Sequence, residues 1–185
     1  MNRFVFFFLL LFSSSLRAQN GEAEQQLINK PKLVVGIIVD QMRYDFLFRY
    51  WDKYSTTGFR RMIEEGYLCS NVHYNYIPTY TGPGHASVYT GTTPSTHGIV
   101  SNEWFDRTTG KTMYCVSDST VKGVGGGNKM SPRNLLTTTM TDELRLASKM
   151  KSKVIGIALK DRGAILPAGH SANAAYWIDT SGSWV

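Results

Sequence analysis

Five residues carry groups whose chemistry fits together: Asp40, Thr81, Asn102, Lys160 and Arg162. Thr81 lies in Pro78-Thr79-Tyr80-Thr81-Gly82-Pro83-Gly84-His85-Ala86-Ser87, a loop that turns abruptly into a helix. Pro83 has its φ preset and lacks an N–H, which suits the first helical position and leaves Thr81 just outside the helix. Gly82 and Gly84 clear bulk from a backbone that a ligand would approach. Orphan N–H groups and the positive end of the helix dipole face outward there, so an anion such as phosphate is favoured, and a hydroxyl there can attack it. The plain alternative is a threonine N-cap with turn glycines.

The other four groups complete a set that phosphoryl transfer requires. That chemistry needs a held nucleophile and donors for oxygens that carry charge in the transition state. Threonine is a poor nucleophile at its free pKa, and a dication beside a carboxylate such as Asp40 would activate it. Asn102 offers an amide donor. Lys160 offers a point charge, and Arg162 a planar fork that grips two phosphate oxygens. Taken singly, Asp40 and Asn102 also read as turn formers, and Lys160 and Arg162 as solvated ends of an edge strand.

These residues must be positioned by an α/β framework. Leu33–Asp40 is a continuous β-branched apolar run, the signature of a central strand in a parallel sheet, with Asp40 at its carboxyl end where ligands sit in such sheets. Asp45–Tyr54 has a helical apolar face. Phe59–Ile63 marks a second short helix closed by Gly66. Cys69–Ile77 reads as a strand delivering the chain to Thr81. Gly91–Ser101 reads as a loop, and Glu103–Tyr114 as a hairpin around Thr108-Thr109-Gly110.

Val121–Lys129 is glycine-rich but follows no strand and lacks a Gly-Lys-Ser/Thr ending, so it is a flexible loop and not a phosphate-binding one. Ser131-Pro132 is a helix start, with Leu136, Met140, Leu144 and Ala147 as its apolar stripe. Val154–Leu159 is a third strand, ending in Lys160-Asp161-Arg162-Gly163. Ala174–Ile178 is another strand, followed by a turn and a returning Ser183-Trp184-Val185. The repeating strand–helix–strand order predicts a doubly wound α/β fold.

The motifs Leu33–Asp40, Tyr80–His85 with Ser87–Gly91, Ser95–Gly98, Asn102 and Lys160-x-Arg162 resemble the alkaline phosphatase superfamily. The likeness is to its phosphate-irrepressible, PafA-type branch, which uses a threonine nucleophile. It runs from Leu33 to Val185. It implies a parallel-sheet, alkaline-phosphatase-like core, apparently truncated after its N-terminal portion. It also implies hydrolysis of phosphate monoesters through a phosphothreonine.

Carried over residue by residue, Asp40 and Thr81 would bind zinc, and Thr81 would attack phosphorus. Asn102 would donate to a non-bridging oxygen. Lys160 and Arg162 would contact another, which favours monoesters over diesters. The family uses two zinc ions per complete active site. Their remaining Asp and His ligands lie mostly beyond the lysine–arginine pair, and His73, His85, His97 and His170 match no ligand motif here. His85 is expected to brace the nucleophile turn and His97 to be structural. This chain alone is therefore expected to lack a complete metal site and to be inactive. A phosphodiesterase or nucleotide pyrophosphatase of the same superfamily is the second enzymatic option. An exported, non-catalytic binding module is the third.

Met1–Ala18 has the layout of a secretory signal peptide: a short basic start, an apolar run from Phe4 to Phe12 and a small residue at the cut. An uncleaved anchor is the alternative. Residues 19–32 form a leader, and residues 33–185 the N-terminal part of the catalytic domain. The expected location is the periplasm or outside the cell, with no stable membrane association after cleavage. Apolar residues at 42% and charged residues at 18% of 185 fit a globular chain and argue against disorder. Removing Arg3 and Arg17 lowers the net charge from +6 to +4, and the remaining basic residues form no stripe, so nucleic-acid binding is not expected. A mild positive field suits small phosphate monoesters. Export permits a bridge between Cys69 and Cys115, but the sequence leaves it open.

Overall fold

In the computed structural model, residues 31–126 and 128–185 are described, so the expected signal peptide and most of the leader lie outside the described residues. The chain divides into two units, Met1–Ile37 and Ile38–Val185. Of the first, residues 31–37 form no helix or strand.

The second unit holds every labelled element. Its helices are α1 (Phe46–Arg49), α2 (Phe59–Glu65), α3 (Thr81–Thr90) and α4 (Pro94–His97). An antiparallel hairpin follows, β1 (Glu103–Asp106) with β2 (Lys111–Tyr114). Then come α5 (Met140–Ala147), β3 (Ile155–Ile157), α6 (Asp161–Ala168) and β4 (Ala174–Tyr176). Strands β3 and β4 are parallel, with Ile155 opposite Ala174 and Ile157 opposite Tyr176. Helix α6 is the crossover between them, so the expected α/β class with a parallel pairing is present.

The packing of α6 on β3 follows from small residues. A side chain at Gly156 would collide with the carbonyl oxygen of Ala164, and Ala158 faces Gly163. These allow helix and strand to approach closely, and Ala164, Ile165, Leu166 and Ala168 are buried as a result. The core continues through Ala86, Ile99, Cys115, Val116, Leu135 and Trp177. The opposite face of β3 is not buried: Ile155 and Ile157 are 55% and 66% exposed, so only one face of this strand is covered.

Several sequence expectations are corrected. Leu33–Asp40 is not a strand, and neither is Cys69–Ile77. Both have strand-like composition, but a strand exists only where a ladder partner meets it, and the described parallel sheet consists of β3 and β4 alone. The Asp45–Tyr54 helix is interrupted at Tyr50, which leaves helical backbone at φ −108° and ψ 21°, and continues as a 3-10 turn over Trp51–Lys53. The Gly91–Ser101 loop contains the one-turn α4, with Pro94 at its start.

The helix expected from Ser131 begins instead at Met140. Ser131 does act as a local cap, accepting the Arg133 N–H, but its hydroxyl is bound to Asp118 and the Leu136 N–H is drawn away to the His97 carbonyl. A stronger start lies downstream. Thr139 and Asp142 form a reciprocal capping box, and the Asp142 carboxylate also takes the N–H groups of His170 and Ser171 just past α6. Burial alone would raise the Asp142 pKa; those N–H donors overrule it and hold the group at about 2. Gly169, at φ +78°, lets the chain pass this carboxylate, since a side chain there would strike Thr139 and Asp142.

Candidate active site

Thr81 is the first residue of α3 and not the residue before it. The Tyr80 carbonyl already accepts the Gly84 N–H at 2.9 Å, so the helix opens earlier than Pro83 suggests. Pro83 falls in the first turn, where its missing N–H costs no intrahelical bond. The Thr81 hydroxyl donates to Oδ2 of Asp40 at 3.1 Å, although 41 residues separate them. Asp40 sits in an exposed turn and not at a strand end, yet it reaches the expected partner.

The second residue of α3 holds the next group. Gly82 is buried, and its N–H donates to Oδ1 of Asn102 at 2.7 Å. A side chain at Gly82 would meet Asn102 Oδ1 at 3.1 Å, the Ser101 carbonyl oxygen at 3.3 Å and Cys115 Sγ at 3.4 Å. Glycine is therefore needed for the helix start to sit this close to the strand that follows Asn102.

Two histidines support the same helix. His85 Nδ1 donates to the Thr81 carbonyl at 2.8 Å, the bracing expected of it. His97 is fully buried; its Nδ1 accepts the Ile99 N–H at 3.1 Å, so Nε2 carries the proton and donates to Ser87 Oγ at 2.9 Å. Ser87 then donates to the Tyr76 hydroxyl at 2.7 Å, which donates to the Pro83 carbonyl at 3.2 Å. Burial pushes the His97 pKa down, so the ring is neutral and the chain of donors runs one way. His73 bonds only locally, to Asn71, and is exposed.

Lys160 is the exposed N-cap of α6, reached from the end of β3 through Ala158 and Leu159. Arg162 lies in the first turn. Its Nη1 donates to the Tyr114 hydroxyl at 2.8 Å, and that hydroxyl donates to Oδ1 of Asp161 at 2.6 Å. Arg162 Nε is buried and has no hydrogen-bond partner. Tyr114 precedes Cys115, whose sulfur stands beside Gly82, so this cluster is tied to the start of α3. Burial pushes the Cys115 thiol up to about 12, and no thiolate competes for the guanidinium. Cys69 and Cys115 are both free thiols, the first exposed and the second buried.

Tyr114 and Asp161 were not among the residues expected from the sequence. They are partners of Arg162 across 48 residues or beside it, and a tyrosine at a strand end carries no local signal of such a role. A cavity of about 620 Å³ opens elsewhere, between Lys122–Gly125, the end of α6 and Trp184, and none of the five site residues lines it.

Asp40 and Thr81 can give a cation two oxygen donors. Zinc generally takes about four. Among the described residues no group of three or more His, Cys, Asp or Glu is placed to hold a metal, so the fit is that of a partial site.

Comparison with known proteins matches residues 34–185 to the family described as type I phosphodiesterase / nucleotide pyrophosphatase. The chain is 54% identical over 162 residues to a protein of Myroides odoratus named calcium-transporting ATPase, covering 85% of this chain and 30% of that one. It is 50% identical over 182 residues to alkaline phosphatase PafA of Elizabethkingia meningoseptica, covering 96% of this chain and 33% of that one. This chain thus spans about a third of the length of these relatives. The crystal structure of wild-type alkaline phosphatase PafA superposes with a TM-score of 0.81 at 53% identity, over 83% of this chain and 31% of that one. A crystallised PafA variant with a threonine, an asparagine, a lysine and an arginine substituted matches equally, at 0.81 and 51% identity. With the family match running from Val34 to the last residue, and the same α/β fold shared with PafA, the chain belongs to the type I phosphodiesterase / nucleotide pyrophosphatase family.

Proposed function

We propose that the complete protein hydrolyses phosphate monoesters through a covalent phosphothreonine at Thr81. The observation that carries this is the Thr81 hydroxyl at the first turn of α3, bonded to Asp40, with Asn102 fixed on the adjacent Gly82 N–H. Thr81 Oγ forms a bond to phosphorus as the bond to the ester oxygen breaks, and the alcohol leaves with a proton. Water then attacks phosphorus, the Thr81–phosphorus bond breaks and inorganic phosphate departs. Asn102, its Oδ1 engaged by Gly82, presents its NH₂ to a non-bridging oxygen, and Arg162 and Lys160 serve another. A divalent cation, expected to be zinc and to be held in part by Asp40 and Thr81, would supply Lewis acidity that lowers the pKa of the hydroxyl.

The four residue types substituted in the crystallised PafA variant support this assignment. They are the types found here at Thr81, Asn102, Lys160 and Arg162, with the same separations between threonine and asparagine and between lysine and arginine. The names of the relatives differ, but an alkaline phosphatase and an ATPase both break a phosphorus–oxygen bond. Export to the periplasm or medium is part of the proposal, on the layout of Met1–Ala18.

The family description also names diester and pyrophosphate cleavage. Two cationic side chains at 160 and 162 favour the extra negative charge of a monoester. The test is acid quench of the complete protein during turnover of a labelled monoester. Label is expected on Thr81, with its loss in Thr81→Ala and its retention in Thr81→Ser. Full turnover by Thr81→Ala would end the proposal, and a diester preferred to a monoester would give the role to the second option.

A further inference from the structure

Arg162 and Asp161 are neighbours of opposite charge at the start of α6, yet they form no ion pair among the described residues. The Tyr114 hydroxyl stands between them. It accepts from Arg162 Nη1 at 2.8 Å and donates to Asp161 Oδ1 at 2.6 Å, while the same Asp161 oxygen takes the Arg162 backbone N–H at 2.6 Å. The guanidinium also lies 5.9 Å from the centre of the Tyr114 ring. One end of the fork is thereby engaged, and Nε on its other edge is buried without a partner.

A buried donor left unsatisfied is costly, and such atoms in native proteins call for a missing acceptor. The Nε edge of an arginine presents two parallel N–H groups, the geometry that takes two oxygens of a phosphoryl group. A carboxylate one residue away would satisfy that fork equally well, and would occupy it permanently.

We infer that Tyr114 is a positioning residue, a spacer that keeps Asp161 from capturing Arg162 and so leaves the Nε edge unpaired for the phosphoryl group of the substrate. This rests on the role proposed above for Arg162. Burial, then the bond to Asp161, raises the Tyr114 pKa, so the hydroxyl keeps the proton it gives to the carboxylate. Without that hydroxyl, Nη1 loses its acceptor and Asp161 Oδ1 keeps only the Arg162 backbone N–H, so the carboxylate and the guanidinium are free to pair.

The test uses Tyr114→Phe, Arg162→Ala and the pair Tyr114→Phe/Asp161→Asn in the complete protein, with inorganic phosphate as an inhibitor beside monoester and diester substrates. Tyr114→Phe is expected to weaken phosphate inhibition and lower monoester kcat/KM by about 10-fold or more, as for loss of a hydrogen bond to a charged group. A parent-like circular dichroism spectrum and a cooperative urea transition show that the variant is folded. Adding Asp161→Asn removes the competing carboxylate and restores most of the phosphate affinity. The inference is overturned if Tyr114→Phe behaves as the parent while Arg162→Ala is impaired, or if Asp161→Asn brings no recovery. If Arg162→Ala itself leaves monoester turnover and phosphate inhibition unchanged, the phosphate-gripping role of Arg162 fails instead.

Discussion

The Gly82 N–H donates to Oδ1 of Asn102 at 2.7 Å, which settles which way the Asn102 amide faces. A backbone N–H can only donate, so the atom opposite it is the carbonyl oxygen, and the NH₂ group points away from the helix. On the proposed function Asn102→Ala would remove a transition-state donor, and monoester kcat/KM is expected to fall by about 100-fold or more. It also strands the buried Gly82 N–H, at a cost of about 1 to 3 kcal/mol. Asn102→Asp keeps the acceptor for Gly82 while replacing the donor with a repelling charge. It should therefore retain most of the stability and lose the activity. Steady-state kinetics and urea midpoints on the two variants separate these effects. An Asn102→Asp variant as active as the parent would show that the amide does not face the phosphoryl oxygen.

The sequence made the candidate groups legible better than the elements that carry them. Thr81, Asn102 and Arg162 could be singled out because each belongs to a short pattern with its own chemistry, and the structure ties all three to the start of α3. The hairpin and the strands β3 and β4 were legible too, but helix α6 between them was not, since Gly163 and Pro167 break the local helical pattern, a signal that tertiary packing on β3 overrides. Leu33–Asp40 and Cys69–Ile77 were not. Their composition favours extended backbone, but pairing is decided by residues far away in the chain. The start of α5 was misplaced for a related reason. Ser131 carries a good local signal, and the competing bonds from Asp118 and His97 that divert it come from other elements. Tyr114 was missed because its partners are remote and its own pattern is that of any strand tyrosine.

His97 ties stability to pH. Its neutral ring accepts from Ile99 through Nδ1, and protonation would set two donors face to face. Burial places its folded pKa below the unfolded value of about 6.5, so the unfolded chain takes up the proton first. Stability from this group is complete above that value and falls as the pH drops through it toward the folded pKa, with a limiting slope of about 1.4 kcal/mol per pH unit. Urea midpoints of the complete protein measured from pH 7.5 to pH 5.5 should show that decline. His97→Gln, which keeps a donor and an acceptor but does not titrate, should flatten the profile. An unchanged slope in His97→Gln would assign the decline to other groups.

Asp40 allows the cation proposal to be tested apart from folding. The side chain is exposed and its recorded partner is the Thr81 hydroxyl, so Asp40→Asn preserves shape and leaves an oxygen for that bond. What it removes is charge, which a dication needs far more than a neutral hydroxyl does. In the complete protein with zinc chelated away, Asp40→Asn is expected to leave the unfolding free energy within about 0.5 kcal/mol of the parent, as for an exposed substitution. Its bound zinc after dialysis, read by mass spectrometry, should fall, and turnover should drop by more than about 100-fold with partial recovery in excess zinc. The isolated 185-residue chain, whose described residues group no three such ligands, should retain no stoichiometric zinc under the same dialysis. Full zinc content and full turnover in Asp40→Asn would remove this carboxylate from the metal site. Thr81 would then need another source of activation.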